Sequence, residues 1–192
     1  MRNVHFLPWV GKNYNTGGIF GKKILVLGES HYCSDSEAVP DLTKLVVEKH
    51  LSGSSISTFT KFERALVGHV TEKAESKQIW DSIVFYNYLQ VNMPDSRIAG
   101  SRQQYKDAEE IYWKVLEKYR PEYLIVWGNR LWNNIPANNF KPINSVVLDN
   151  YEAGDGIYSL KDGTEIKVIA IYHPSSGFDW NWWYKYLKIW GI

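Results

Sequence analysis

Apolar and polar positions divide this chain into two alternating kinds of segment. Short, nearly uninterrupted apolar runs rich in β-branched and aromatic residues occur at 23–27, 79–89, 123–127 and 165–172. Such runs read as strands buried on both faces, as in a parallel sheet, whereas a half-exposed strand would alternate. Between them, apolar residues recur at helical spacing. The clearest case follows Ser101, which forms a capping box with Gln104; Ala108, Ile111, Tyr112, Val115, Leu116 and Tyr119 then share a face until Pro121 stops the helix. A short helix over 41–51, with Leu42, Leu45 and Val46 inward, and a second over 61–73 opened by Thr60 and Glu63, follow from the same reasoning. Gly128 turns the third strand into a short helix through Trp132, and Asp179 caps a final one in which Trp183, Leu187 and Trp190 share a face.

Strand alternating with helix implies parallel strands joined by right-handed crossovers. The expectation is an α/β fold: a three-layer α/β/α sandwich around a four-stranded, mainly parallel sheet, occupying 1–192 as one domain. Residues 1–21, with Pro8, Gly11, Gly17 and Gly18 among aromatics, read as an irregular arm packed on it. Residues 144–150 and 156–160 read as extended edge structure around a turn at 154–156.

Composition narrows the function classes. A formal charge of +1 makes no strong electrostatic claim on nucleic acid, though a local basic face is compatible with it. One cysteine, Cys33, excludes an intrachain disulfide and suits a reducing, cytoplasmic setting. No apolar run approaches the roughly 18 residues that span a bilayer, so no membrane partner is expected, and a monomer is. Nine tryptophans and thirteen tyrosines supply either core rings or stacking surfaces for bases, and any individual ring is more readily core.

The candidate chemistry sits where strands end. KKILVLGESHYC near the start and KVIAIYHPSS near the end are apolar runs that stop at polar, reactive residues, and open α/β sheets place ligands beyond the carboxyl ends of their strands. In order along the chain, these ends carry Gly28-Glu29-Ser30-His31-Tyr32, then Asn87 in Phe85-Tyr86-Asn87-Tyr88, then Trp127-Gly128-Asn129, then His173-Pro174-Ser175-Ser176. Over roughly residues 22–190 this succession resembles the uracil-DNA glycosylase superfamily, whose members carry Gly-Gln-Asp-Pro-Tyr, a strand-end asparagine, a Trp-Gly-Asn-like turn and His-Pro-Ser-Pro at corresponding places. Some branches carry Gly-Glu-Ala-Pro-Gly instead, with functional weight on the glutamate that Glu29 matches.

The resemblance implies a metal-free, cofactor-free N-glycosyl hydrolase acting on a flipped base. Its partner is single- or double-stranded DNA or another nucleobase-containing ligand. His173 is the candidate donor to the departing base, and Glu29 the carboxylate that places water or offsets charge on the sugar. Asn87 would read the base edge, Tyr32 limit its size, and Phe59, from a loop before the second helix, stack on it. Gly28, Ser30 and His31 complete the first loop, and the main-chain amides of Ser175 and Ser176 would hold a phosphate. The sequence departs from the family at Ser30, which replaces the water-activating aspartate, and at His31, which replaces the proline. Gly177 stands where several members place a wedge leucine, leaving Phe178 or Trp180 for that task. The alternative is a protein of the same fold that binds a base or strand without excising it.

Other chemistries fit less of the pattern. Ser30, Asp149 or Asp155, and His173 follow the chain order of an α/β-hydrolase triad, but Tyr32 occupies the second glycine of that elbow. His31 and Cys33 lack a second pair of metal ligands, Cys33 lacks a nucleophile signature, and Gly17-Gly18 precedes a strand where a phosphate loop would follow one.

Overall fold

The computed structural model describes residues 6–33, 38–143, 147–149, 151–152, 154–175 and 177–192. Its framework is set by the four apolar runs. They become β2 (Ile24–Gly28), β4 (Ile83–Asn87), β6 (Tyr123–Trp127) and β11 (Glu165–Ile171), mutually parallel and adjacent in the order β4-β2-β6-β11. Every residue of β2, β4 and β6 is buried, as strands covered on both faces require.

The sheet is wider than four strands. β1 (Trp9–Val10), from the N-terminal arm, adds antiparallel to β4. At the other edge β10 (Asp155–Ser159) adds antiparallel to β11, and β7 (Phe140–Pro142) antiparallel to β10. The result is a seven-stranded mixed sheet, β1-β4-β2-β6-β11-β10-β7, which corrects the four-stranded expectation. β1 and β7 are two and three residues long and partly exposed, and β10 (Asp-Gly-Ile-Tyr-Ser) is largely buried but polar at both ends, so none carries the apolar run that betrays a central strand. Two further ladders are small: β3 (His31–Tyr32) beside β5 (Asn92–Met93), and β8 (Val147–Leu148) beside β9 (Tyr151–Glu152). The expected extended stretch at 144–150 falls partly outside the described residues.

The described residues also form six α-helices: α1 (Leu42–Ser52), α2 (Ser57–Val67), α3 (Lys73–Trp80), α4 (Arg102–Tyr119), α5 (Asn129–Trp132) and α6 (Trp180–Ile189). Alternate side chains of the strands feed two cores. Ile24, Val26, Phe85 and Ile125 face α1, α2, α3 and α6, while Leu25, Leu27, Val84 and Val126 face α4 and α5. The chain is therefore an α/β protein with helices on both faces of a mainly parallel sheet. Among the described residues no helix is long and apolar enough to cross a membrane.

Helix boundaries follow local chemistry where the termini are exposed. Ser101 and Gln104 form the expected capping box on α4, and Asp179 accepts from the amides of Asn181 and Trp182 at the start of α6. The region expected as one helix over 61–73 is instead α2, a break after Gly68, and α3, while Ile79 and Trp80 belong to α3 and not to a strand. Thr60 and Glu63 do not cap: Glu63 is buried, and its carboxylate is drawn inward by His50, Ser76, Trp80 and Thr71. α1 is rotated from the expected face by the same pull. It buries Thr43, Val47 and His50 and leaves Leu45 exposed.

Candidate functional site

The carboxyl ends of the parallel strands meet at one edge of the sheet. Gly28 is registered against Asn87, and Trp127 against Ile171. Beyond them β2 and β4 continue in step, with the Tyr88 amide donating to the Gly28 carbonyl at 2.9 Å and the Leu89 amide to that of Glu29 at 2.8 Å. This carries Glu29, Ser30, His31 and Tyr32 up beside Asn87. From the opposite side, the Gly128 amide donates to Ile171 at 2.8 Å and brings the Trp127-Gly128 turn under His173.

A cavity of about 230 Å³ occupies this edge, and Gly28, Glu29, Ser30, His31, Tyr32, Phe59, Asn87 and His173 all line it. Eight of the ten residues singled out from the sequence therefore share one wall. Val46, Ile56, Phe85 and Trp127 supply its apolar remainder. A wider cleft of about 780 Å³ opens beside it, sharing Glu29, Tyr32, Thr58, Trp127 and His173 and adding Ser96, Arg130, Tyr172 and Ser175. A hollow of comparable size, about 680 Å³, lies between α4 and β10, lined by Trp113, Leu160 and alternating glutamates and lysines. It includes none of these residues.

His173 is set as a hydrogen-bond donor. The main-chain amide of Ser175 donates to its Nδ1 at 3.2 Å, and the Ser175 hydroxyl lies 2.7 Å from the same nitrogen. An amide N–H only donates, so Nδ1 accepts and the proton of the neutral ring sits on Nε2. Burial lowers the His173 pKa; the Glu29 carboxylate pulls it up and Arg130 pulls it down, leaving it below the ordinary histidine value. The ring meets Trp127 edge-on at 5.9 Å. Gly128, at φ 90°, permits this approach, since a Cβ there would stand 3.2 Å from the Cβ of His173. Because the Ser175 amide is spent on His173, it does not offer itself to a phosphate. Ser176 lies outside the described residues.

Asn87 and His31 form a second fixed pair. Asn87 Nδ2 donates to His31 Nε2 at 3.0 Å, and Thr43 Oγ1 lies 2.8 Å from the same nitrogen. An amide donor makes Nε2 an acceptor, placing the imidazole proton on Nδ1. Burial pushes the His31 pKa down to about 4, so the ring is neutral near pH 7. Asn87 Oδ1 rests over Gly28, where an added Cβ would come within 2.3 Å of it. Glycine at 28 thus makes room for the amide as well as closing the strand.

Glu29 is held by two side chains from elsewhere in the fold. It is 7% exposed, and its Oε1 accepts from the Tyr105 hydroxyl. Arg130 Nε donates to both carboxylate oxygens at 2.8 Å each, and Arg130 Nη2 stands 2.6 Å from Oε2. Burial and the Glu29 carboxylate push the Tyr105 pKa up, which keeps that hydroxyl a donor. Arg130 and Tyr105 were not apparent in the sequence: one lies in a four-residue helix, the other on the inner face of α4, and no local spacing links either to Glu29.

The remaining placements follow from the fold. Ser30 Oγ is buried on the cavity wall and has no hydrogen-bond partner among the described residues. Phe59 is in the first turn of α2, not in a loop, and packs on Trp80 at 4.5 Å and edge-on to Phe85 at 5.4 Å; it is both core ring and pocket wall. Tyr32 is 43% exposed at the rim. Phe178 is stacked on Trp183 at 5.9 Å and buried, so it is not a free wedge. The triad is not assembled, since Asp155 accepts from Tyr186, Asp149 from Trp182, and Ser30 Oγ has no hydrogen-bond partner among the described residues. Among the described residues no group of three His, Cys, Asp or Glu side chains could hold a metal ion.

No protein-family model matches the chain, and no curated protein matches it.

Proposed function

We propose that this is a uracil-DNA-glycosylase-like protein that draws one flipped base of a DNA strand into the smaller cavity and hydrolyses its N-glycosidic bond without a metal. The observation that carries the reading is the meeting of a neutral, Nε2-protonated His173 with the Asn87 amide in one aromatic-walled cavity. At about 230 Å³ the space lies below the roughly 300–1,000 Å³ of drug-sized sites, which suits a single heterocycle. In cleavage the bond between the sugar and the ring nitrogen breaks, and its electron pair leaves with the base. His173 Nε2–H donates to the base oxygen where that charge collects, while water adds to the sugar carbon and gives up a proton to solvent, and the departed base anion takes one up to leave neutral. Asn87 orients the ring, and Phe59 and Trp127 supply its apolar walls.

One observation favours a second reading, binding without excision: Glu29, the only carboxylate among the described residues that line the cavity or the cleft, is taken by Arg130 and Tyr105. Oligonucleotides containing uracil or hypoxanthine, treated with alkali after incubation, separate the two. Excision predicts a nick at one of these bases and a loss of about a hundredfold or more in His173→Ala. Retained binding with no nick leaves the second reading standing, and neither binding nor nicking removes both.

A further inference from the structure

We infer that Arg130 is the contact for the phosphate of the bound nucleotide and that Glu29 is a positioning residue acting through it. This inference rests on the base-binding reading above. A base in the smaller cavity leaves its sugar and phosphate in the adjoining cleft, and phosphate contacts are what hold a nucleic-acid ligand in register. The Ser175 amide is occupied by His173. Arg130 is the only lysine or arginine among the described residues that line the cleft.

The guanidinium is held as though for an incoming anion. Nε is shared between the two oxygens of Glu29, while Nη2 reaches Glu29 and donates to the Ser96 carbonyl at 3.1 Å. Nη1 has no partner among the described residues, and the side chain is 36% exposed against 7% for that of Glu29. The two N–H groups of Nη1 are therefore left for an acceptor in the cleft, on a guanidinium whose plane Glu29 and the Ser96 carbonyl hold fixed. The lone pairs of Glu29 hold Arg130 and Tyr105, so they serve orientation and not the activation of water. Because the pair is neutral as a whole, the gain comes from short-range hydrogen bonds more than from long-range attraction.

Calorimetric titration of the full chain with uracil, deoxyuridine, its monophosphate and a short single strand carrying one deoxyuridine tests this, alongside the matching hypoxanthine series. Wild type is expected to gain about tenfold or more in affinity when the phosphate is added. Arg130→Gln abolishes that gain and lowers the salt slope for the strand by about one. Arg130→Lys keeps the slope but recovers only part of the gain, and Glu29→Gln behaves the same way because charge survives while orientation is lost. The Arg130→Gln/Glu29→Gln double variant avoids leaving a buried carboxylate unpaired and is expected to lack the gain as well. A gain confined to the monophosphate assigns the phosphate to a free nucleotide and keeps Arg130 as its contact. A gain that survives Arg130→Gln in a folded protein overturns the inference and leaves the base reading intact. Wild type that binds no member of either series overturns that reading, and this inference with it.

Discussion

Ser30, itself 9% exposed, holds a buried hydroxyl without a hydrogen-bond partner among the described residues, in a cavity shared with Asn87 and His173. A buried hydroxyl left without a hydrogen bond costs about 1–3 kcal/mol, and such groups persist where a ligand satisfies them. Ser30→Ala is therefore expected to leave unfolding in urea unchanged, or to stabilise by up to ~1 kcal/mol, while base affinity falls several-fold. A clear loss of stability would instead reveal a structural partner for the hydroxyl. His31 acts differently, accepting the Asn87 amino group and so fixing which end of that amide turns toward Gly28. The two residues that depart most from the uracil-DNA glycosylase pattern thus lie next to the residue expected to read the base.

The helices that wall the pocket are joined by one buried polar cluster. His50 Nδ1 accepts the Ile56 amide at 3.0 Å, so its Nε2 carries the proton and donates to Glu63 at 2.6 Å. Trp80 and Ser76 donate to the same carboxylate oxygen at 2.7 Å, and Thr71 to the other at 2.9 Å. Burial alone would raise the Glu63 pKa; hydrogen bonds from His50, Ser76, Trp80 and Thr71 outweigh it and lower the pKa overall. The cluster ties α1 to α2 and α3 beneath Phe59, which meets His50 edge-on at 5.3 Å. Glu63→Ala strands several buried donors and is expected to cost of the order of 3 kcal/mol or more, measurable by urea unfolding. Glu63→Gln is expected to cost less. The spacing of Thr60 and Glu63 matches that of Ser101 and Gln104, yet only the second pair caps. α4 begins at the surface, where a side chain is free to turn back on its own backbone, whereas Glu63 lies on a face covered by two other helices.

The sheet integrates these parts, with β2 central and its continuation carrying His31 into the interior. Because the folded chain holds His31 neutral down to about pH 4, against 6.5 for an ordinary histidine, the unfolded chain binds more protons between those values. Stability from this group is complete above about 6.5 and is lost as pH falls toward 4, a decrease of order 3 kcal/mol. Urea titrations across that range are expected to show the slope, reduced in His31→Gln; a flat profile would mean that the imidazole titrates normally. The four parallel strands, the cap and inner face of α4, and the cap of α6 were legible along the chain because a strand buried on both faces or an exposed helix end carries its own signal. The strand-end residues were legible too, since an abrupt polar stop after an apolar run is local. The partners of those residues were not. Glu29 meets Tyr105 and Arg130 at separations of 76 and 101 residues, and β1 and β7 join edges that only the finished sheet provides, whereas β10 matches the edge structure expected over 156–160. Local pattern determines which segments are buried, and proximity across the fold determines which buried groups pair. That is why the chain read alone places Glu29 at a strand end, and only the fold shows that Arg130 is the partner of its carboxylate.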